Sequence, residues 1–399
     1  MAEVKNMIWQ DCEPLQARIV EMRRALHRIP ELGTDLPKTA AYVAAALDEL
    51  GIPYEKSTLD SGIIATIEGG MPGKTIALRA DMDALPIEEA TGAPYTSTHP
   101  GCMHACGHDA HTAMLLGAAA ALQKNRAQLK GTVRLLFQTA EEGSKGALFT
   151  IRNGGIKNAD AVFGMHIGTI LGKDYPAGII VTPPGCCMAS FDRFTIHVNG
   201  SGCHGSTPEK GIDPINIASH IVLALQAINA REFNACVPVV VTIGSIHGGT
   251  QYNIIPDTVV LDGTIRCIDD GVRKTVVRRI GEIAAATATA FGGTAECVVD
   301  WGAPPVINNA EMAELATQAA KDVVGEEWVV DRLKAPNMGG EDFAYFLQDV
   351  PGAYLFLSSC NPDKNADIPH HNPKFQIDED VLWKGAALYA SIAEKFLNG

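Results

Sequence analysis

Apolar and polar positions alternate along this chain with two different periods, and the switches between them outline its elements. Over about residues 14–28 apolar residues recur at helical spacing up to the helix-breaking Pro30, and a second helical stretch spans 37–50 before Gly51. Residues 63–67 and 75–79 carry short strand patterns, the second running directly into Asp81-Met82-Asp83. A loop rich in Pro, Thr and Gly over 91–107 leads to a predicted helix from about 109 to 122. Residues 132–138 and 161–165 are apolar runs of buried-strand length, followed by Glu141-Glu142-Gly143 and by His166. Strands alternating with helices predict an α/β fold with a mixed, mostly parallel sheet flanked by helices.

After Thr182-Pro183-Pro184-Gly185 the rhythm changes. Residues 191–198 alternate as a strand, and Asp213-Pro214 supplies the N-cap and first-turn proline of a helix reaching about 229. Strands at 237–245 and 258–267 follow, then a helix over 270–291 stopped by Gly292-Gly293, then a strand at 295–301. This β-α-β-β-α-β order is ferredoxin-like and predicts an α+β domain of roughly 110 residues. Helix and strand return after Pro304, at 311–324, 354–358 and 378–397. The expected organisation is one α/β domain in two pieces, 1–184 and 304–399, with a second domain, 185–303, inserted.

Composition narrows the function. The 399 residues are 46 % hydrophobic and 20 % charged, an ordinary globular mixture with ample core material. A net charge of -14 argues against nucleic-acid and anionic-membrane partners, so an acidic substrate would need local positive charge from a metal or an Arg. No run of ~20 apolar residues predicts a membrane span, and the opening MAEVKNMIWQDCEP has no secretory pattern. With 10 scattered Cys, these features lead to the expectation of a cytoplasmic chain with reduced thiols.

The ionisable residues then fall in a telling order. Asp81 and Asp83, Glu141 and Glu142, and His166 each follow the carboxyl end of a predicted strand. Ligand crevices form at that edge of an open parallel sheet. Cys106-Gly107-His108 enters the next helix, and a Cys and a His two residues apart can reach one metal if Gly allows the tight turn. Thiolate, imidazole and carboxylate together suit zinc, or cobalt or manganese. Taken alone the Cys-x-His match is short, and the neighbouring His104 and His111 are as compatible with a supporting or solvated role as with ligation. Glu141 and Glu142 point opposite ways if strand alternation continues, so one could bind metal while the other moves a proton; the plain alternative is an acidic turn in water. His370-His371 offers a late ligand or a loop pair. Arg266 follows a buried-looking strand and calls for an anion, either a substrate carboxylate or a structural Asp.

Taken in order, MHACGHDAH, QTAEEG, GMHI, GSGCHGSTPEKGIDP, MGGEDF and HHNPKF resemble the amidohydrolase branch of the aminoacylase and carboxypeptidase metallohydrolases, the hippurate hydrolase, N-acyl-amino-acid amidohydrolase and auxin-conjugate hydrolase type. The resemblance covers nearly the whole chain. It implies a zinc-peptidase-like catalytic domain that holds two divalent ions per subunit: zinc foremost, or manganese, cobalt or nickel. Cys106, His108, Glu142, His166 and His371 are the implied ligands, with Cys106 a candidate bridge. Glu141 is implied as general base and then acid, and Asp83 as the residue orienting a ligand. His204 would stabilise the oxyanion, from its own or a partner subunit, while Asn253 and Arg266 would hold the substrate's carbonyl and carboxylate. The strand reads Asp81-Met82-Asp83 where the wider family has His-x-Asp, so Asp81 is left out of the ligand set. Thr139 and Cys203 also depart from the usual Pro and small residue. The implied reaction is amide hydrolysis of N-acyl amino acids, with a carboxypeptidase or dipeptidase as alternative and a non-catalytic binding relative as a distant one. The implied assembly is a homodimer, or a tetramer, through the inserted domain.

Overall fold

Most of the periodic segments fold where their patterns place them in the computed structural model, which describes residues 7–143 and 145–399. Residues 1–6, part of the opening read above as non-secretory, lie outside the described residues. Along the chain come α1 (Gln16–His27), α2 (Pro37–Glu49), β1 (Tyr54–Lys56), β2 (Ile63–Glu68), β3 (Met71–Asp81), α3 (His108–Lys124), β4 (Lys130–Gln138), α4 (Gly146–Arg152), β5 (Ala161–Gly168) and β6 (Ile180–Val181). Then follow β7 (Asp192–Asn199), α5 (Pro214–Ala227), β8 (Val239–Gly248), β9 (Thr258–Cys267), α6 (Asp270–Ala290) and β10 (Thr294–Asp300). The chain ends with α7 (Ala310–Val324), β11 (Val329–Val330), β12 (Gly352–Ser358) and α8 (Leu382–Asn398). Two compact units result. One comprises the residues up to 187 with 307–335 and 342–399, and the other comprises 188–306 with 336–341. The short return of 336–341 to the second unit has no counterpart in the hydrophobic pattern.

In the first unit eight strands form one mixed sheet in the order β1-β2-β4-β3-β5-β12-β6-β11. Its centre, β4-β3-β5-β12, is parallel, so the carboxyl ends of four strands share an edge. Register pairs Asp81 with Gln138 and Arg79 with Gly164, which sets His166, two residues on, level with Asp81. His166 is inside β5 rather than just beyond it, because that strand continues to Gly168. Helix α3 is apolar on nearly every side, HDAHTAMLLGAAAALQK, and packs between α1 and α8. A helix apolar all round belongs in a core, and this one anchors its first residue, His108, rigidly at the sheet edge.

The second unit is the expected β-α-β-β-α-β domain, with its sheet in the order β8-β9-β7-β10 and every pairing antiparallel. Alternation along β7 buries Phe194, Ile196 and Val198 against Ile221, Leu225 and Ile280 of α5 and α6. Asp213 caps α5 as its position predicts, accepting from the N–H groups of Ile215 and Asn216. No described helix is long and apolar enough to cross a membrane.

Candidate metal centre

The tight turn at Cys106-Gly107-His108 rests on Gly107, whose φ of +93° is open to glycine at little cost. It brings two side chains of unlike chemistry to one place. Cys106 Sγ lies 3.5 Å from His166 Nε2. His166 Nδ1 donates to the Ile167 carbonyl at 2.8 Å, and His108 Nδ1 donates to the Asp83 carbonyl at 2.9 Å. Each ring therefore keeps its Nε2 for something else, a cation taking that of His108 in place of a proton. For His108 that nitrogen is buried and has no hydrogen-bond partner among the described residues.

Glu141 and Glu142 occupy the loop between β4 and α4, past the end of the strand. Strand alternation therefore does not separate them, as the sequence reading supposed; the turn does. Ala140 enters the left-handed region at φ 50°, and the Asp83 carboxylate accepts the amides of Glu141 at 3.0 Å and Glu142 at 3.1 Å. The outcome is still a division. Glu141 Oε2 lies 3.9 Å from His108 Nε2, and Glu142 Oε1 lies 3.3 Å from His371 Nε2. His371 is itself left-handed, at φ 63°, and is anchored by its amide on the Ala105 carbonyl at 2.9 Å.

Five groups among the described residues have ligand atoms within 4.8 Å of one another, and three of them are Cys106 with His108 and His166, Cys106 with Glu142 and His371, and His108 with Glu141 and Glu142. Cys106 belongs to two of them. Sulfur, imidazole nitrogen and carboxylate oxygen in two sets that share a thiol make a donor set fit for two divalent cations. The buried, unpartnered His108 Nε2 is the sign that something besides protein belongs there.

Electrostatics agree. Burial, then the Glu142 charge, pushes the Cys106 thiol well above its ordinary value, so a cation must displace a proton to gain the thiolate. Burial, with His111 and His370 close by, keeps His166 well below the usual imidazole range and hence neutral. Burial opposes the charge on Glu142, yet the bond to His371 wins and lowers it, while the same bond raises His371. For His108 burial disfavours the proton, but Asp81 and Cys106 outweigh it.

Other candidates are spoken for. Asp81 accepts from Arg79 Nη1 at 2.5 Å and from His111 Nδ1 at 2.6 Å, and His111 Nε2 accepts the Ile167 amide at 2.9 Å. Asp81 and His111 thus brace β3 against β5. The proximity of both to His108 is a hydrogen-bond network, since His108 turns Nδ1 to the Asp83 carbonyl. His104 is buried and driven down to about 3, first by burial, and His370, also near 3 because of burial, accepts the Thr169 amide at 3.1 Å.

The remaining expected residues are in the second unit. His204 is exposed, its Nδ1 accepts the Ser206 amide at 3.1 Å, and Nε2 is left as a donor facing outward. Its strand neighbour is Ile254, and Asn253 accepts the Gly205 amide at 2.9 Å, so His204 and Asn253 are brought together. Arg266 has no ion-pair partner among the described residues; its guanidinium stacks over Phe191 at 5.2 Å. Three residues given no role above also matter. Arg79, Gln138 and Asp342 form a buried cluster beneath the Glu141-Glu142 loop. An Arg inside the apolar run of β3 was the signal that could have exposed it.

A carboxylate placed beside a ready cation cage suits the cleavage of an unreactive bond by water, and the class so defined is that of metal-dependent hydrolases. Residues 77–395 match peptidase family M20/M25/M40, and the chain belongs to that family. It is a hydrolase acting on amide bonds. It is 40 % identical to the N-acetyl-L-cysteine deacetylase of Bacillus subtilis, over 96 % of this chain and 89 % of that one. It is 41 % identical to thermostable carboxypeptidase 1 of Saccharolobus solfataricus, over 97 % and 98 %. The crystal structure of the YXEP protein of Bacillus subtilis, described as a dinuclear metal binding peptidase, superposes with a TM-score of 0.84 at 35 % identity, covering 96 % of this chain and 99 % of that one.

Proposed function

We propose that this protein is an N-acyl-amino-acid amidohydrolase that works with two divalent ions. One ion would be held by Cys106, His108 and His166, the other by Cys106, Glu142 and His371. The observation that carries the reading is the membership of Cys106 in both groups, with Glu141 beside His108. Bound ions would supply Lewis acidity toward the scissile carbonyl and a more acidic water, zinc being the ion that best matches this donor set, with manganese, cobalt or nickel as alternatives.

Glu141 takes the proton of the attacking water at its carboxylate and returns it to the leaving amine. Asp83 holds Glu141 and Glu142 by their amides and fixes the His108 ring, so it serves both carboxylates and one imidazole. His204, with its outward Nε2 donor, stabilises the oxyanion. Asn253 beside it takes the carbonyl or carboxylate, and Arg266, lacking a carboxylate of its own, takes the substrate's. A homodimer through the second unit fits the open edge of β8 and the exposed Leu223 and Ile246. Ten unpaired cysteines fit a cytoplasmic location.

The 41 % identical carboxypeptidase favours a second reading, in which the same residues cleave a C-terminal peptide bond. Acyl release from N-acetyl, N-benzoyl and dipeptide substrates, with and without chelator, separates the two. The proposal expects chelator-sensitive turnover, fastest on the N-acyl amino acids. Preference for dipeptides supports the carboxypeptidase, and hydrolysis indifferent to chelator refutes both.

A further inference from the structure

The turn that carries Glu141 and Glu142, between β4 and α4, is held at two places. At its tip Asp83 accepts both amides. At its base a second carboxylate, from far along the chain, spans the two stems. Asp342 accepts from Gln138 Nε2 at 2.8 Å (Oδ1) and 2.9 Å (Oδ2), and from the Ala147 amide at 2.9 Å. Gln138 is the last residue of β4, and Ala147 is in the first turn of α4. The stems are tightly drawn: a Cβ on Gly146 would lie 1.5 Å from the Thr139 carbonyl oxygen. Arg79, also buried, matches the charge of Asp342 with Nη2 at 2.8 Å and holds Gln138 Oε1 with Nε at 2.9 Å. The Asp342 amide itself points to Glu141 Oε1, at 3.4 Å.

We propose that Asp342 is a positioning residue for the reaction. By gripping both stems of the loop it sets how far Glu142 reaches toward Cys106 and His371, and how Glu141 is aimed. An ordinary buried ion pair would bind Arg79 alone. Asp342 instead takes one donor from each end of a single loop and directs its amide to the carboxylate at the tip. The proposal rests on the two-ion reading above, and the test keeps the two apart.

Asp342→Asn preserves shape but replaces one accepting oxygen with an NH2 donor that faces the donors of Arg79, Gln138 and Ala147, so one stem must let go. In the metal-free protein, hydrogen exchange of the turn between β4 and α4 is expected to accelerate. Titration with Co²⁺, followed by thiolate charge-transfer absorption and calorimetry, is expected to show one binding step weakened about 10–100-fold and the other unchanged. His371→Ala identifies the affected step. On the preferred substrate kcat falls while KM stays near that of the parent. Equal weakening of both steps, or unchanged exchange, overturns the proposal. If Asp342→Asn does not fold, Gln138→Met releases one stem while keeping the Arg79–Asp342 pair, and the same effects, smaller, are expected; their absence counts equally against it. A parent protein that binds fewer than two ions refutes the two-ion reading, and the exchange measurement alone then decides for or against the clamp.

Discussion

His108 is tied to Asp83 through the main chain: its Nδ1 donates to the Asp83 carbonyl oxygen at 2.9 Å, which fixes the ring's orientation and turns Nε2 toward Cys106 and Glu141. The same residue's carboxylate carries the amides of Glu141 and Glu142. One residue at the end of β3 thus sets the aim of an imidazole and of two carboxylates.

Glu141→Gln removes the proton acceptor and little else. Its kcat is expected to fall by about 10²–10⁴-fold, with metal content unchanged. Steady-state kinetics beside elemental analysis check this. An active variant would end the assignment of Glu141 as base.

Cys106→Ala removes the one donor common to both groups. Purified variant protein is expected to lose most of its bound metal and its activity together. Because the side chain is small, urea unfolding of the metal-free form should change by no more than about 1–2 kcal/mol. Full metal content in the variant contradicts the ligand role.

Arg79→Met leaves the buried carboxylates of Asp81 and Asp342 without their shared counter-charge. A loss of about 3–5 kcal/mol is expected in denaturant unfolding of the metal-free protein. A variant as stable as the parent would show that water or a proton compensates.

Asp109 gives the fold an acid limit. Its carboxylate meets Arg23 Nε at 2.8 Å and His27 Nδ1 at 2.7 Å, all buried. Burial alone would raise its pKa, but Arg23 and then His27 hold it well below the ordinary value. A depressed carboxyl contributes stability that is complete above its unfolded value, about 3.9, and drains away as pH falls toward the folded one. The stability gap between parent and Asp109→Asn is therefore expected to be widest above about pH 5 and to narrow below about pH 4. Unfolding measured at three pH values decides it; a gap independent of pH contradicts the assignment.

Metal removal should register in stability as well as in turnover. Free divalent ion at 100 times its Kd adds about 2.7 kcal/mol to any state that binds it. Tm is expected to climb with ion concentration and to fall on chelation, and Cys106→Ala should flatten that response.

Long periodic segments were legible because their signal is local. Helix α3, the strands β3, β4, β5 and β9, and the alternation on β7 all follow from patterns within a single element. The two-residue strands β6 and β11 have no room for a pattern, and β1 is scarcely longer. At the site, Cys106, His108, Glu141, Glu142, His166 and His371 were named in advance and are brought together here. The roles of Asp81 and His111 were not legible, because they depend on which ring nitrogen faces which neighbour. Asp342 shows the limit most plainly: its partners Gln138 and Ala147 are 204 and 195 residues away, and nothing near MGGEDF marks it as their anchor.

That separation also sets an order of assembly. Chains fold as they emerge from the amino end, and Cys106, His108, Glu142 and His166 are all made before the 188–306 segment begins. Asp342 and His371 arrive only after it is finished. A nascent chain or a truncated product therefore carries most of the donors but neither the anchor of their loop nor the last ligand. Such fragments should be poor scavengers of metal, since the proposed centre is complete only once His371 has been made.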